Sequence, residues 1–370
     1  MNSLKRLKKI YDRLENDKIR SAALSTAEYL GIRKDIIRLD TNNFCNISCI
    51  MCNRSNTCTE KHYLPLEQFK SLLALFAKTT RILYLSCACE PLVTPHFTEY
   101  LEYAKSLSIP YISLCTNGLL LQKNIVSCLV DQQIDEIIIS FNGYVKIDYN
   151  RIMKGSDYDR IYDNLKQLND YKKAQHSEKP LIRLNTMLMK SNLENATHLT
   201  AFVSELGINS VQFRELIPFE DQNDPDAMKT EYIVYHSPEE RTHTIQQIQK
   251  IADDLHGIGV EVILPLFCGN ESGDSAETQT CIKKETNTQK CSCSVPFFSY
   301  WIDCSGNVRV CGYDEKGIVG NAFDQDFKSL LSKRRHFQKM ALAGECSSEL
   351  CTMNMDTSVS DTLPPLSQTA

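Results

Sequence analysis

The sequence predicts an α/β protein, a parallel sheet wrapped by helices, followed by a small cysteine-rich unit. Three observations lead there. From Asp35 onward, short β-branched runs alternate with longer stretches of helical periodicity. The chemistry-bearing residues of the first half sit where those runs end, the usual place for chemistry in a parallel α/β unit. The 16 cysteines of the 370-residue chain are clustered, three at 45–52 and a group from Cys281 to Cys351.

Taken in order, Leu4, Leu7, Ile10, Tyr11 and Leu14 recur at helical spacing with Lys and Arg between them. Residues 1–34 are therefore expected to form a helical extension that packs on its own domain. Strands are predicted at 36–39, 81–85, 111–114, 136–139, 181–187 and 210–213, and helices at 66–78, 97–107, 119–132, 157–174 and 193–206. Repeated β–α units close into a barrel or open into a doubly wound sheet, and periodicity alone does not choose. This core is expected over 35–220. The stretch 221–245, rich in Asp, Asn, Pro and Glu, reads as a linker or lid, within a segment 221–292 of linker, helix and mobile loop. A cysteine-rich unit follows over 293–351. The last residues, 352–370, are rich in Ser, Thr and Pro and are expected to be disordered.

Composition narrows the function classes. A net charge of −5 argues against nucleic acid as the main partner. The sequence contains no run of about twenty apolar residues and begins without the apolar segment of a secretory signal. A cytoplasmic protein without a membrane partner is the expectation. In a reducing compartment, clustered cysteines are metal ligands more often than disulfides.

Cys45-Asn46-Ile47-Ser48-Cys49-Ile50-Met51-Cys52 places three thiolates on one short loop. Three cysteines can hold three irons of a 4Fe–4S cubane and leave the fourth open to the amino and carboxylate groups of S-adenosylmethionine. A ferredoxin supplies four cysteines, and a structural zinc site also wants four ligands. Cys58 is the nearby residue that would close the site. The second constellation runs from Cys293 through Ile302-Asp303-Cys304-Ser305-Gly306-Asn307 to Cys311. It reads as a hairpin that brings Cys293 and Cys311 together. A helical stretch at 324–343 then delivers Cys346 and Cys351. These four cysteines suffice for one auxiliary 4Fe–4S cluster or one zinc, and spacing alone does not decide. Cys281, Cys291 and Cys304 are spare thiols that could substitute. His62, His96 and His236 are isolated and read as surface or packing residues.

The three-cysteine spacing after a strand is similar to the signature of the radical S-adenosylmethionine superfamily. Ser86-Cys87-Ala88-Cys89-Glu90-Pro91-Leu92 resembles that family's Gly-Gly-Glu-Pro segment, and Thr116-Asn117-Gly118 its strand-three turn. Ser140-Phe141-Asn142-Gly143 with Tyr149-Asn150-Arg151 resembles its strand-four segment, and Met187-Leu188-Met189-Lys190-Ser191-Asn192 its strand-five end. Cys87 and Cys89 depart from the family's small residues, and an inert buried thiol is the default reading for each. The resemblance spans roughly 35–215. It implies a partial (β/α)6 TIM-type barrel followed by a small auxiliary-cluster domain. It also implies contacts to S-adenosylmethionine from Glu90, Asn117, Ser140 and Arg151: the Glu90 segment at the methionine amino group, Ser140 at the ribose, Arg151 at the carboxylate.

Cysteine, twelve residues, glycine, four residues, cysteine, followed by Val319-Gly320-Asn321, resembles the opening of the SPASM extension. Only Cys346 and Cys351 follow, so the shorter, single-cluster twitch version is the better match. The expected function is reductive cleavage of S-adenosylmethionine and abstraction of a substrate hydrogen atom, with a flavodoxin- or ferredoxin-type protein as electron donor. A two-electron oxidation of a small carbohydrate- or cyclitol-like substrate, assisted by the auxiliary cluster, is expected. A peptide- or protein-modifying maturase or an epimerase is the alternative. The non-enzymatic alternative is an iron–sulfur electron-transfer protein or a zinc-stabilised binding protein.

Overall fold

Runs of β-branched and apolar residues buried on both faces make parallel strands, because helices cover each side of such a sheet. In a computed structural model, which describes residues 35–52, 60–86, 88–216, 223–233, 237–265, 295–311 and 317–343, those runs are the strands. The architecture is α/β, with ten strands among the described residues and largely parallel pairing. The predicted alternation of strands and helices is present.

The strands are β1 (Asp35–Leu39), β2 (Thr80–Leu85), β3 (Tyr111–Thr116), β4 (Glu136–Ser140), β5 (Leu181–Met187), β6 (Ser210–Arg214), β7 (Glu261–Ile263), β8 (Ser299–Ile302), β9 (Asn307–Arg309) and β10 (Ile318–Asn321). The helices are α1 (Leu66–Ala77), α2 (Phe97–Ser106), α3 (Lys123–Asp131), α4 (Lys146–Ile152), α5 (Tyr158–Ala174), α6 (Lys190–Glu194), α7 (Ala196–Leu206), α8 (Pro225–Glu231), α9 (Pro238–Gly257), α10 (Val295–Phe298) and α11 (Phe327–Ala343). No helix among the described residues is long and apolar enough to cross a membrane.

The chain divides into two compact units. One comprises Asp40–Leu66 and, from Tyr84 on, the chain to the end of β7. Its strands β3, β4, β5, β6 and β7 lie side by side in sequence order, every pair parallel. Ile137, Ile139, Ile182, Leu184 and Val211 are fully buried along them. Local chemistry sets the ends of the helices. Asp157 caps α5 by accepting from the N–H groups of Asp159 and Arg160. Gly207 closes α7 in the left-handed region, at φ 64°. Gly143 lies where a Cβ would stand 2.5 Å from the Tyr149 backbone, so only glycine lets the β4 loop pass this close to α4.

Two helices stand where a linker or lid was expected. α8 and α9 occupy much of 221–257, each opened by an N-cap side chain followed by proline: Asp224 accepts from Ala227 N–H, and Ser237 from Glu240 N–H. Proline at the first helical position needs no N–H there, and its fixed φ suits the helix.

The other unit holds β1, α1, the first residues of β2 and the described residues after Val295. Here β8 pairs parallel with β1, Ile36 opposite Ser299 through Leu39 opposite Ile302. β9 then returns antiparallel to β8, and β10 pairs antiparallel with β9. The hairpin expected around Asp303–Asn307 forms because Asp303 Oδ1 accepts from the N–H of Ser305 at 2.9 Å and of Asn307 at 3.0 Å. Gly306 turns the chain at φ 81°, with the Phe323 ring where a Cβ would be. Arg334 of α11 is fully buried; it donates to Asp35 Oδ1 at 2.9 Å and Pro296 O at 2.6 Å and stacks 4.0 Å from the Tyr300 ring centroid.

Candidate active site: three thiols at the strand ends

The loop after β1 is built from alternating roles. Ile47 and Ile50 are buried, while Cys45, Cys49 and Cys52 between them remain part-exposed. Backbone bonds fix this irregular loop. Ser48 N–H donates to Lys154 O at 2.8 Å, Ile50 N–H to Ile152 O at 3.0 Å, and Cys52 N–H to Cys49 O at 3.1 Å. The end of α4 thus supplies the acceptors that the loop's own chain cannot. At the loop's base, Asn42 Nδ2 donates to Glu90 O at 2.7 Å and Glu90 N–H to Phe44 O at 3.1 Å, joining it to the segment after β2.

Cys45, Cys49, Cys52, Glu90, Asn117 and Ser140 line one cavity of about 630 Å³, counting space open to solvent. Each comes from a different strand end: the cysteines after β1, Glu90 after β2, Asn117 after β3, Ser140 closing β4. Glu90 is 2 % exposed and uses both carboxylate oxygens within the chain. Oε1 accepts from Thr116 Oγ1–H at 2.6 Å and Leu92 N–H at 3.1 Å, and Oε2 from Asn117 N–H at 2.7 Å. Burial outweighs these three bonds and pushes its carboxyl up to about 7. Glu90 therefore bolts the β2 end to the β3 end.

Asn117 reaches the cysteines. Its Nδ2 donates to Asn46 Oδ1 at 2.8 Å and lies 3.6 Å from Cys45 Sγ as a donor, while its Oδ1 accepts from Leu119 N–H at 3.0 Å. Burial pushes the Cys45 thiol up to about 11, against the pull of the Ile47 and Asn117 N–H groups. Cys49 is held well above the ordinary thiol range, by burial first and then by its neighbours Cys52 and Cys45. Met153 Sδ lies 3.5 Å from Cys49 Sγ and is itself met by Asn142 Nδ2 at 3.4 Å. Cys115, of β3, also lines the cavity and is pushed up to about 12 by burial.

Arg151 does not line this cavity. Its guanidinium donates to Glu231 Oε1 of α8 and lies 3.5 Å from Asp148 Oδ1. Cys311, after β9, is part-exposed; Cys293, Cys346 and Cys351 lie outside the described residues, as do Cys58, Cys87, Cys268, Cys281 and Cys291. Cys304 is buried in the hairpin at 3 % exposure. His62 and His96 are exposed, and His236 lies outside the described residues. Asn46, Thr116 and Met153 bear on the site without having been singled out; only their place within or beside the quoted runs could have marked them.

The donor set fits an iron–sulfur cluster and a cationic cofactor. Among the described residues, no three His, Cys, Asp or Glu side chains converge on a point as a single metal ion requires. The three thiols instead line the wall of one cavity. Burial disfavours the thiolates of Cys45 and Cys49, a cost that bound iron would offset. Among the described residues, no lysine or arginine lines the cavity, and the hydrogen-bond partners of the Glu90 carboxylate are neutral.

Strand-end thiols beside one cavity in an α/β unit are the arrangement that an iron–sulfur cluster with a bound small molecule would use. Residues 39–191 match the profile of the Radical SAM superfamily, a match that supports a radical SAM enzyme with a 4Fe–4S cluster and S-adenosylmethionine as cofactors. Among curated proteins it is similar to a probable GTP 3',8-cyclase of Methanocaldococcus jannaschii, 26 % identical over 191 residues, covering 50 % of this chain and 60 % of the relative. It is also similar to the tungsten-containing aldehyde ferredoxin oxidoreductase cofactor-modifying protein of Pyrococcus furiosus, 23 % identical over 235 residues and 62 % of either chain. The chain thus spans about three-fifths of the length of these two relatives. In fold it resembles Streptococcus suis SuiB bound to S-adenosylmethionine, with TM-score 0.64, 13 % identity and coverage of 94 % of this chain and 80 % of that one. It likewise resembles anSMEcpe with bound AdoMet, with TM-score 0.58, 15 % identity and coverage of 85 % and 88 %.

Proposed function

We propose that Cys45, Cys49 and Cys52 hold the 4Fe–4S cluster of a radical S-adenosylmethionine enzyme that removes a hydrogen atom from an unreactive C–H bond of its substrate. The observation that carries this reading is the convergence of the three thiols, Glu90, Asn117 and Ser140 on one cavity. Together the cluster and S-adenosylmethionine supply an electron and a deoxyadenosyl radical; the chain's own residues bind, orient and shield. Cys45, Cys49 and Cys52 take three irons. Glu90 holds the β2 and β3 loops together, so that the backbone of 88–90 and the Asn117 amide border the cofactor, and Ser140 offers a hydroxyl to its ribose. Arg151 would reach a cofactor carboxylate only by leaving Glu231. The test is anaerobic reconstitution of wild type and of the Cys45→Ala, Cys49→Ala, Cys52→Ala triple variant. Wild type is expected to bind about eight irons per chain and the variant about four. Continued formation of 5′-deoxyadenosine by the variant would overturn the reading.

The finer reading is a two-electron oxidation of a small hydroxylated substrate, carbohydrate- or cyclitol-like, with the electron donor a flavodoxin- or ferredoxin-type protein. An auxiliary 4Fe–4S cluster on Cys293, Cys311, Cys346 and Cys351 would take the second electron. Curated relatives named for a nucleotide substrate, GTP, support a small hydroxylated molecule. A peptide substrate is the second reading, supported by SuiB bound to its precursor peptide SuiA and anSMEcpe bound to a peptide. The oxidation level of the product distinguishes oxidation from epimerisation. Deuterium at the attacked carbon enters deoxyadenosine in either case, one per product, but the oxidised product has lost two electrons whereas an epimerised one keeps its oxidation level and takes its new hydrogen from a thiol or solvent.

A further inference from the structure

Residues 223–231, part of the stretch that reads as a linker, are anchored at both ends within the site's own unit. At the near end Asn223 N–H donates to Cys52 O at 3.0 Å, Asn223 Nδ2 to Cys49 O at 2.8 Å, and Asp224 N–H to Ile50 O at 3.1 Å. At the far end Glu231, 3 % exposed, accepts from Arg151 on Oε1. On Oε2 it accepts from Ser191 N–H at 3.2 Å and Ser191 Oγ–H at 2.8 Å. Between the anchors, Asp224 Oδ1 caps α8 by accepting from Ala227 N–H at 3.0 Å, and Met228 is fully buried.

An irregular ligand loop has carbonyls that no helix or sheet can satisfy, and each needs a donor. Here those of Ile50 and Cys52 receive theirs from two consecutive residues, and that of Cys49, which already accepts from Cys52 N–H, takes a second donor from Asn223 Nδ2; two of the three belong to thiol-bearing residues. Groups that fix the backbone behind a metal ligand fix where its donor atom points, and their loss typically weakens a site ten- to a hundredfold. We infer that Asn223 is a positioning residue for Cys49 and Cys52, and that Asn223–Glu231 is a strap holding the cluster loop to the helices after β4 and β5. This rests on the assignment of Cys45, Cys49 and Cys52 to the cluster. Glu231 is the strap's second anchor. It neutralises Arg151 and fixes the first turn of α6, so the strap ties the loop of the thiols to the strand-five end.

Asn223→Ala removes only the side-chain bond to Cys49 O and keeps both backbone N–H donors. In the reconstituted full-length enzyme, chelator-driven release of iron from the first cluster is expected to run about tenfold faster than in wild type. The electron paramagnetic resonance spectrum of the reduced cluster is expected to shift in its g-values, a change that lost fold stability alone does not produce. Glu231→Gln, remote from the cysteines, serves as the second variant should Asn223→Ala fail to fold, and is expected to speed iron release in the same direction. Release rates and spectra matching wild type in the soluble variants would overturn the strap. A Cys45, Cys49, Cys52 triple variant that keeps this cluster would overturn the assignment on which the strap rests.

Discussion

Replacing Asn117 by alanine is expected to lower the midpoint potential of the cluster proposed on Cys45, Cys49 and Cys52. Asn117 Nδ2 lies 3.6 Å from Cys45 Sγ, a single N–H aimed at a sulfur that carries part of the cluster's charge. Reduction adds one negative charge, so this bond is stronger in the reduced state, and removing it favours the oxidised one. A hydrogen bond to a charged group contributes about 1.5–3 kcal/mol. If about 1 kcal/mol of that differs between the two states, a one-electron couple at 59 mV per tenfold moves by about 40 mV, to a more negative value. Alanine also removes the bond from Leu119 N–H to Asn117 Oδ1, so Asn117→Asp is the companion variant. Aspartate keeps that acceptor, lacks the donor and adds a negative charge, so its shift is expected to be at least as large. The assay is a mediated redox titration followed by electron paramagnetic resonance, without S-adenosylmethionine so that cofactor contacts do not enter. A midpoint within about 10 mV of wild type in both variants, or one that rises, would refute the reasoning.

Two further outcomes concern stability. Burial raises the Glu90 carboxyl to about 7, so the stability it contributes is full below the ordinary carboxylate range and is lost as pH rises through 7. Glu90→Gln leaves one of the two backbone N–H groups unpaired at every pH, so urea unfolding should find it clearly destabilised at pH 5. Its difference from wild type should shrink by about 2–3 kcal/mol by pH 8, and a pH-independent difference would contradict the shift. The buried Arg334–Asp35 pair should give Arg334→Met and Asp35→Asn single variants each destabilised by about 3–5 kcal/mol. The double variant should lose much less than the sum, and strict additivity would show that the two side chains do not depend on each other.

The strands were legible because parallel strands buried on both faces must be apolar and β-branched: Glu136–Ser140 reads Glu-Ile-Ile-Ile-Ser, and nothing else fits it as well. The three thiols were legible because their spacing on one loop is itself the chemistry. α8 was not, and a helix within 221–292 was expected without bounds, because the polar composition of α8 and α9 hid two start signals that are physically specific, Asp224-Pro225 and Ser237-Pro238. α4 escaped for a different reason: seven residues offer too few turns for periodicity to show. The roles of Glu90 and Asn223 were beyond sequence reasoning. Glu90 could be placed near the cofactor, but not that its carboxylate would be consumed by Thr116, Asn117 and Leu92. Asn223 lies 171 to 174 positions from the carbonyls it meets, a pairing that only folding reveals.

The charge arrangement explains why this cavity suits the guests the Radical SAM superfamily uses. Five thiols, those of Cys45, Cys49, Cys52, Cys89 and Cys115, and a carboxyl border it, and all of the lining cysteines whose shift is resolved, together with Glu90, are pushed toward their neutral forms by burial. A protein that meant to keep such groups ionised by itself would place a lysine or arginine among them, as buried anions elsewhere in this chain are paired: Glu136 with Arg183, Asp35 with Arg334. Among the described residues the lining has none, and the arginine nearest in sequence to the strand-four loop, Arg151, is held by Glu231 and Asp148. Arg214 draws the Cys115 thiol down against its burial, and a cationic guest would add to that positive charge. In the proposed enzyme, iron would supply it to the thiolates, and the sulfonium and ammonium of S-adenosylmethionine would bring it to this cavity. Neutral donors fixed on Glu90 keep the β2 and β3 ends of the wall in register.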